Sequence, residues 1–158
     1  MSYDKGGASK NQGTLPPGGP LKLRMRMASD PRLLPVVRST VSELAAVWGF
    51  EAEQCRRITL AVDEALSNVI RHAYKNRLDQ EIDLNCQAHL DCLEFSFLDH
   101  GEAIDTSRFC ATPLDEIAPG GRGTHIIRQI MDEVRYERLP EGNLLRLKKY
   151  LPGVKSKA

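Results

Sequence analysis

The segment Leu21-Lys22-Leu23-Arg24-Met25-Arg26-Met27 alternates apolar with basic residues, so an extended chain here sets one side against a core and the other in water. It predicts a first strand. The period then changes: Leu33, Leu34, Val37, Val41, Leu44, Ala45 and Trp48 recur at helical spacing behind Asp30, a capping residue, and Pro31, suited to a first helical turn. Gly49 predicts the end of this helix. A second helix is expected from about Glu51 to Tyr74, with Ile58, Ala61, Val62, Ala65, Leu66, Val69, Ile70 and Ala73 forming an apolar surface broad enough for deep burial.

Ile82, Leu84, Cys86 and Ala88 alternate up to a turn near Leu90-Asp91, and Leu93, Phe95 and Phe97 alternate away from it. A hairpin here pairs Ala88 with Leu93, Cys86 with Phe95 and Leu84 with Phe97, apolar against apolar. The same parity points Cys86 inward and Cys92 outward, which excludes a disulfide between them. From His100 to Gly121 periodicity is lost, and Pro113, Pro119 and Gly120-Gly121 mark a long connection of the length reserved for binding loops or lids. Gly123 to Met131 reads as a helix. VRYERL and NLLRLKKYL, joined by Pro140-Glu141-Gly142, read as a closing hairpin. The expected fold is α+β, a two-layer sandwich with helices packed on one face of a mostly antiparallel sheet.

Composition narrows the class. A chain of 158 residues with 41% hydrophobic content suits one soluble domain. Residues 1–20, rich in Gly, Pro, Ser and Lys, predict a flexible tail, and 152–158 a short C-terminal one. A net charge of +1 gives no global field to recruit nucleic acid or an anionic membrane. No apolar run reaches membrane-spanning length and the N-terminal segment lacks the apolar stretch of a secretory signal, so a cytoplasmic protein is expected. Cys55, Cys86, Cys92 and Cys110 show neither a paired motif nor metal-ligand spacing with the four histidines. They read as buried or incidental thiols.

Candidate chemistry lies in three places. In DEALSNVIRHAY, residues 63–74, Glu64, Asn68 and His72 are four apart and share a helix face, with Asp63 rotated about 100° from Glu64. A carboxylate one turn before a carboxamide suits a proton acceptor beside a ligand for a hard cation such as Mg²⁺, and equally a solvated helix face. In FSFLDHG, residues 95–101, an apolar strand ends in Asp99 and Gly101. Such a rim carboxylate accepts from adenine's exocyclic amine and disfavours guanine's carbonyl, though Asp-x-Gly also suits a simple turn. Finally, Gly120-Gly121-Arg122-Gly123 precedes a helix whose free amides and positive dipole end favour phosphate. An ordinary flexible loop has the same composition. Sequential hairpins argue against a doubly wound nucleotide fold, and neither the Rossmann nor the Walker pattern is present.

In the order helix, strand end, helix start, these motifs resemble the GHKL ATPase superfamily with the Bergerat fold, and within it the RsbW-like anti-sigma factor serine/threonine kinases. The resemblance covers residues 21–151, with DEALSNVIRHAY as the asparagine box and FSFLDHG and GGRGTHIIRQIMDEV as the two glycine boxes. It implies a histidine-kinase-like ATPase domain holding ATP and Mg²⁺. Asn68 is then the metal ligand, Glu64 the catalytic base, Asp99 and Gly101 lie at adenine, and Gly120, Gly121 and Gly123 at the phosphates. His72 suits the same seam and equally a packing role; Arg122 suits phosphate and equally a solvated loop. His125 stands where such families have an apolar residue and receives no chemistry. Glu102-Ala103-Ile104-Asp105 departs from the glycine or proline and aromatic residue common after this box, so the adenine-side loop is expected to differ in shape.

The resemblance also implies partners: a STAS-domain anti-sigma factor antagonist as phosphoryl acceptor, a sigma factor to sequester, and a homodimer, since related proteins form dimers. An alternative is an ATP-dependent binding module that regulates a partner without phosphoryl transfer. A third reading, an interaction domain with no ligand, predicts no thermal stabilisation by ATP.

Overall fold

The computed structural model describes residues 20–103 and 122–154. Strand β1 (Lys22–Ala28) leads through a 3-10 turn at Pro31–Leu33 into α1 (Leu34–Trp48), then α2 (Ala52–Asn68) and a π-helical turn at Val69–Ala73. Next come β2 (Glu81–Ala88), β3 (Cys92–Asp99), α3 (Arg122–Ile130), β4 (Glu133–Leu139) and β5 (Gly142–Tyr150). The five strands form one sheet in the order β1-β2-β3-β5-β4, every pair antiparallel.

Local chemistry explains the element ends. The Asp30 carboxylate accepts from the Arg32 N–H at 2.9 Å, capping the turn that starts at Pro31. Gly49 closes α1 in the left-handed region at φ 106°, where a side chain is strained.

The β2–β3 register pairs Ala88 with Leu93, Cys86 with Phe95 and Leu84 with Phe97, as alternation predicts. A one-residue slip would turn every one of these side chains out of the core. Phe95, Phe97, Ile82, Leu84, Leu145 and Leu147 from the sheet meet Val41, Ile58, Val62, Leu66, Ile70 and Ile127 from the helical layer in a single core. Burying each large side chain contributes about 1.5–3 kcal/mol. The opposite sheet face carries polar residues, among them the row Arg24, Asn85, Ser96, Arg146, Arg135 across all five strands.

Two expectations change in detail. The second helix does not run as an α-helix to Tyr74; beyond Asn68 it widens, and the Tyr74 N–H donates to the Val69 carbonyl five residues back, at 3.0 Å. The cause is tertiary: the Tyr74 hydroxyl donates to the Glu81 carbonyl (2.5 Å) and accepts from the His100 N–H (2.8 Å), tying the helix end to β2 and β3. Cys92 lies on the face opposite Cys86, as parity requires, yet it is buried. Burial pushes its thiol up to about 11 and that of Cys86 up to about 12, which removes both as nucleophiles near neutral pH. Cys55, Cys86 and Cys92 are free thiols. Cys110 and residues 104–121 of the binding loop expected from His100 to Gly121 lie outside the described residues, and no described helix is long and apolar enough to cross a membrane.

Candidate functional site

Strand β3 delivers Asp99 to the inner edge of the sheet on the same parity as Phe95 and Phe97, so its carboxylate points toward the helical layer and is 2% exposed. Its Oδ1 accepts from the Gly101 N–H at 2.9 Å and from Asn143 Nδ2 at 2.8 Å. Burial pushes its pKa above the ordinary 3.8, against the opposing effects of Asn143, the Gly101 amide, Arg138 and His100. Gly101 is required by close approach: a Cβ there would lie 2.5 Å from the Ala73 carbonyl oxygen and 2.7 Å from the Ala73 Cβ. The Glu102 N–H donates to that same carbonyl at 3.2 Å. The turn after β3 is thus seated on the end of the π turn.

One to two turns back along α2 lies the polar seam. Asp63 is turned away from it, paired with Arg38 of α1 at 2.9 Å. Glu64 is partly buried and Asn68 is 9% exposed. Arg71 spans the two, its Nη2 3.8 Å from Glu64 Oε2 and 3.4 Å from Asn68 Oδ1. His72 lies in the π turn and is exposed.

Helix α3 starts against this seam. A Cβ on Gly123 would overlap Glu64 Oε2 and lie 3.7 Å from Asn68 Oδ1, so with Glu64 in this position the first turn of α3 comes this close through a bare backbone. The backbone of that turn and the positive helix end therefore stand beside Glu64 and Asn68. Arg122 opens α3, but its side chain, like Gly120 and Gly121, lies outside the described residues. The fold brings Glu64, Asn68, Gly123, Asp99 and Gly101 together along one chain stretch, residues 64–74. The first three gather at its start and the last two at its end.

Four residues of this neighbourhood were not singled out by motif: Arg71, Tyr74, Arg138 and Asn143. Asn143 had a legible signal, since it shares the inward parity of Leu145 and Leu147 and is the polar member of that series. Arg138 faces it across the β4–β5 pair. Among the described residues no group of three or more His, Cys, Asp or Glu side chains is placed to hold a metal.

The family model described as "Histidine kinase-like ATPase domain" matches residues 27–149. The serine-protein kinase RsbW of Bacillus subtilis (strain 168) is 28% identical over 139 residues, covering 83% of this chain and 86% of that protein. That of Listeria innocua is 29% identical over 126 residues, covering 72% of this chain and 78% of that protein. A crystal structure of the RsbU and RsbW domains of a Mycobacterium tuberculosis protein superimposes with a TM-score of 0.59 at 17% identity, over 81% of this chain, and shares the fold. This chain spans about a third of that longer one, at 32%. With the family model matched over most of its length, the chain belongs to the histidine kinase-like ATPase domain family, and within it resembles the RsbW serine-protein kinases.

Proposed function

We propose that the chain is a serine/threonine protein kinase of the anti-sigma factor type. It uses Mg-ATP to phosphorylate a STAS-domain antagonist, and it sequesters a sigma factor when that antagonist is absent. The observation that carries this reading is the placement of a buried acceptor, Asp99, and a carboxylate–carboxamide pair, Glu64 and Asn68, at the two ends of one helical stretch. The start of α3 stands at the second end.

The residues fit a nucleotide. Asp99 has both lone pairs of Oδ1 engaged by protein donors, so Oδ2 is the oxygen with capacity for an exocyclic amine. Gly101 keeps the chain after β3 low against Ala73, and the open first turn of α3 supplies amides for phosphate. A hard divalent cation fits as well. The described residues offer no all-protein cage, and Mg²⁺ characteristically takes one or two protein oxygens with the remainder from phosphates and water. Asn68 Oδ1 is the proposed protein ligand. When bound, Mg-ATP supplies the phosphoryl group and the cation neutralises its charge.

The chain's own residues do the rest. Glu64 orients the acceptor hydroxyl and takes its proton. Asp99 and Gly101 bind and orient the base. Gly123, with Gly120, Gly121 and Arg122 before it, holds phosphate oxygens, and His72 assists from the exposed side of the π turn. We assign residues 21–151 to the ATPase domain, with tails at 1–20 and 152–158, and read the protein as a cytoplasmic homodimer.

A second reading, a nucleotide-dependent binding module without transfer, draws on one contact: Arg71 lies against both Glu64 and Asn68, so a substrate must displace it to reach the carboxylate. Incubation with Mg-ATP and each STAS-domain protein of the same genome, read by intact mass, tests the kinase. One partner gaining a phosphoryl group is the expected result; ATP-dependent binding of a partner with no mass change favours the module.

A further inference from the structure

Asp99, Asn143 and Arg138 stand directly opposite one another on β3, β5 and β4, in one cross-strand row on the inner face. Asn143 is 1% exposed, and all three of the hydrogen bonds shown for its side chain are well formed. Its Nδ2 donates to Asp99 Oδ1 (2.8 Å) and to the Glu102 carbonyl (2.9 Å), and its Oδ1 accepts from Arg138 Nη1 (2.8 Å). The same Arg138 nitrogen donates to the Gly101 carbonyl at 3.0 Å.

Arginine has donors only, so its contact fixes which end of the Asn143 amide faces which neighbour. Rotating the amide would set NH2 against the guanidinium and oxygen against the carboxylate, two repulsions in a buried place. Arg138 thus holds Asn143 with its donors toward Asp99. The pair also grips the carbonyls of Gly101 and Glu102, in the turn that follows the strand end.

We propose that Asn143 and Arg138 are positioning residues that select the nucleobase, holding Asp99 as a fixed, ionised acceptor whose fitting ligand is an exocyclic amine. The inference rests on the nucleotide reading above. A protonated Asp99 would present a hydroxyl and could donate to the oxygen of a 6-oxo base; an ionised one can only accept, and faces that oxygen unfavourably. Selectivity for adenine over hypoxanthine therefore depends on what keeps the buried carboxyl charged.

Among the described residues, the charged and titratable groups around Asp99 are His100 beside it, Arg138 from β4, Tyr74 just after the π turn, and Glu102, paired with Lys75 at 3.3 Å. Asp83 and Glu81 of β2 act on Tyr74 behind them. Burial opposes ionisation, and Asn143, the Gly101 amide, Arg138 and His100 favour it. Removing Asn143 takes away the largest of these supports.

The test compares the full chain as wild type, Asn143→Ala and Arg138→Met, the last altering an exposed side chain and so preserving the fold, with Asp99→Asn for assignment. Two quantities are measured from mildly acidic to neutral pH: the carboxyl ¹³C titration of Asp99 in ligand-free protein, assigned by its loss in Asp99→Asn, and calorimetric affinities for ATP and ITP. The expected result is an Asp99 titration moved upward in both variants. ATP affinity should drop about tenfold or more in Asn143→Ala, as for a lost hydrogen bond to a charged group, with its pH midpoint moved the same way and the ATP:ITP ratio reduced. A loss of ATP affinity equal at every pH, with the Asp99 titration unmoved in both variants, overturns the inference. Failure of the wild type to bind ATP at all overturns the nucleotide reading instead, while the ligand-free titration still decides whether the pair governs Asp99.

Discussion

The Glu64 carboxylate occupies the space that a side chain on Gly123 would need, so α2 and α3 meet at this point through a carboxylate and a bare backbone. The two residues are far apart in sequence and belong to different motifs. Their contact joins the proposed base to the proposed phosphate-holding helix start. Gly123→Ala should leave the fold in place, because the atom it displaces is the far end of a flexible side chain. Phosphoryl transfer should fall by about tenfold or more, since a misplaced catalytic group of this kind costs on that order or beyond. Circular dichroism and single-turnover transfer check the two halves; an unchanged rate would separate Glu64 from the reaction.

Asp99→Asn separates stability from binding. Burial raises the folded-state pKa of Asp99 above 3.8, so its ionisation costs the folded state more than the unfolded one. The stability tied to the protonated form is complete below 3.8 and is lost as pH rises through the folded value. At neutral pH the asparagine removes that buried charge and retains an oxygen for Asn143 and Gly101. Thermal denaturation at neutral pH should show an unchanged or higher Tm, while calorimetry shows ATP binding weakened about tenfold or more. In the wild type, ATP affinity should decline on acidification through a window above that of an ordinary aspartate.

The sequence carried the register of β2 and β3 because one face is buried: only one alignment puts Ala88, Cys86 and Leu84 against Leu93, Phe95 and Phe97. It also carried the caps at Asp30 and Gly49, whose chemistry is local. The end of α2 was not legible, since the π turn is held by Tyr74 reaching Glu81 and His100, contacts that no local pattern encodes. The motif residues Glu64, Asn68 and Asp99 were legible as types and spacings. Their supports were legible only in part: Asn143 stands out as the polar member of an inward apolar series, but its partners Asp99 and Arg138 are set by sheet order. The shielding of Cys92 on the polar face was hidden for the same reason, because alternation assigns a face but does not say what covers it.

Gly101→Ala tests the seat of the β3 turn. The added methyl meets the Ala73 carbonyl and Cβ, neither of which can rotate away, so the turn or the π segment must shift. Overpacking of this sort costs about 1–3 kcal/mol, read as a lower urea midpoint with an unchanged slope. ATP affinity should fall as well, because Asp99 moves with Gly101. A variant as stable as the wild type would remove close approach as the reason for this glycine.

Asn68→Ala addresses the cation. If its oxygen ligates Mg²⁺, nucleotide affinity should fall mainly with Mg²⁺ present, and wild type and variant should converge in EDTA. The alanine also frees Arg71 from one of its neighbours, an effect present in both buffers. An equal loss with and without the cation would assign Asn68 to packing alone.

Glu64→Gln tests most directly whether Glu64 accepts the proton of a substrate hydroxyl. Glutamine keeps the size and one acceptor oxygen next to Gly123, so ATP and partner binding should persist. Transfer to the partner, measured in a single turnover so that product release does not enter, should fall by about 10²–10⁴-fold, the usual range for loss of a general base. Equal transfer rates for the wild type and Glu64→Gln, with both binding ATP, would show that Glu64 is not the base.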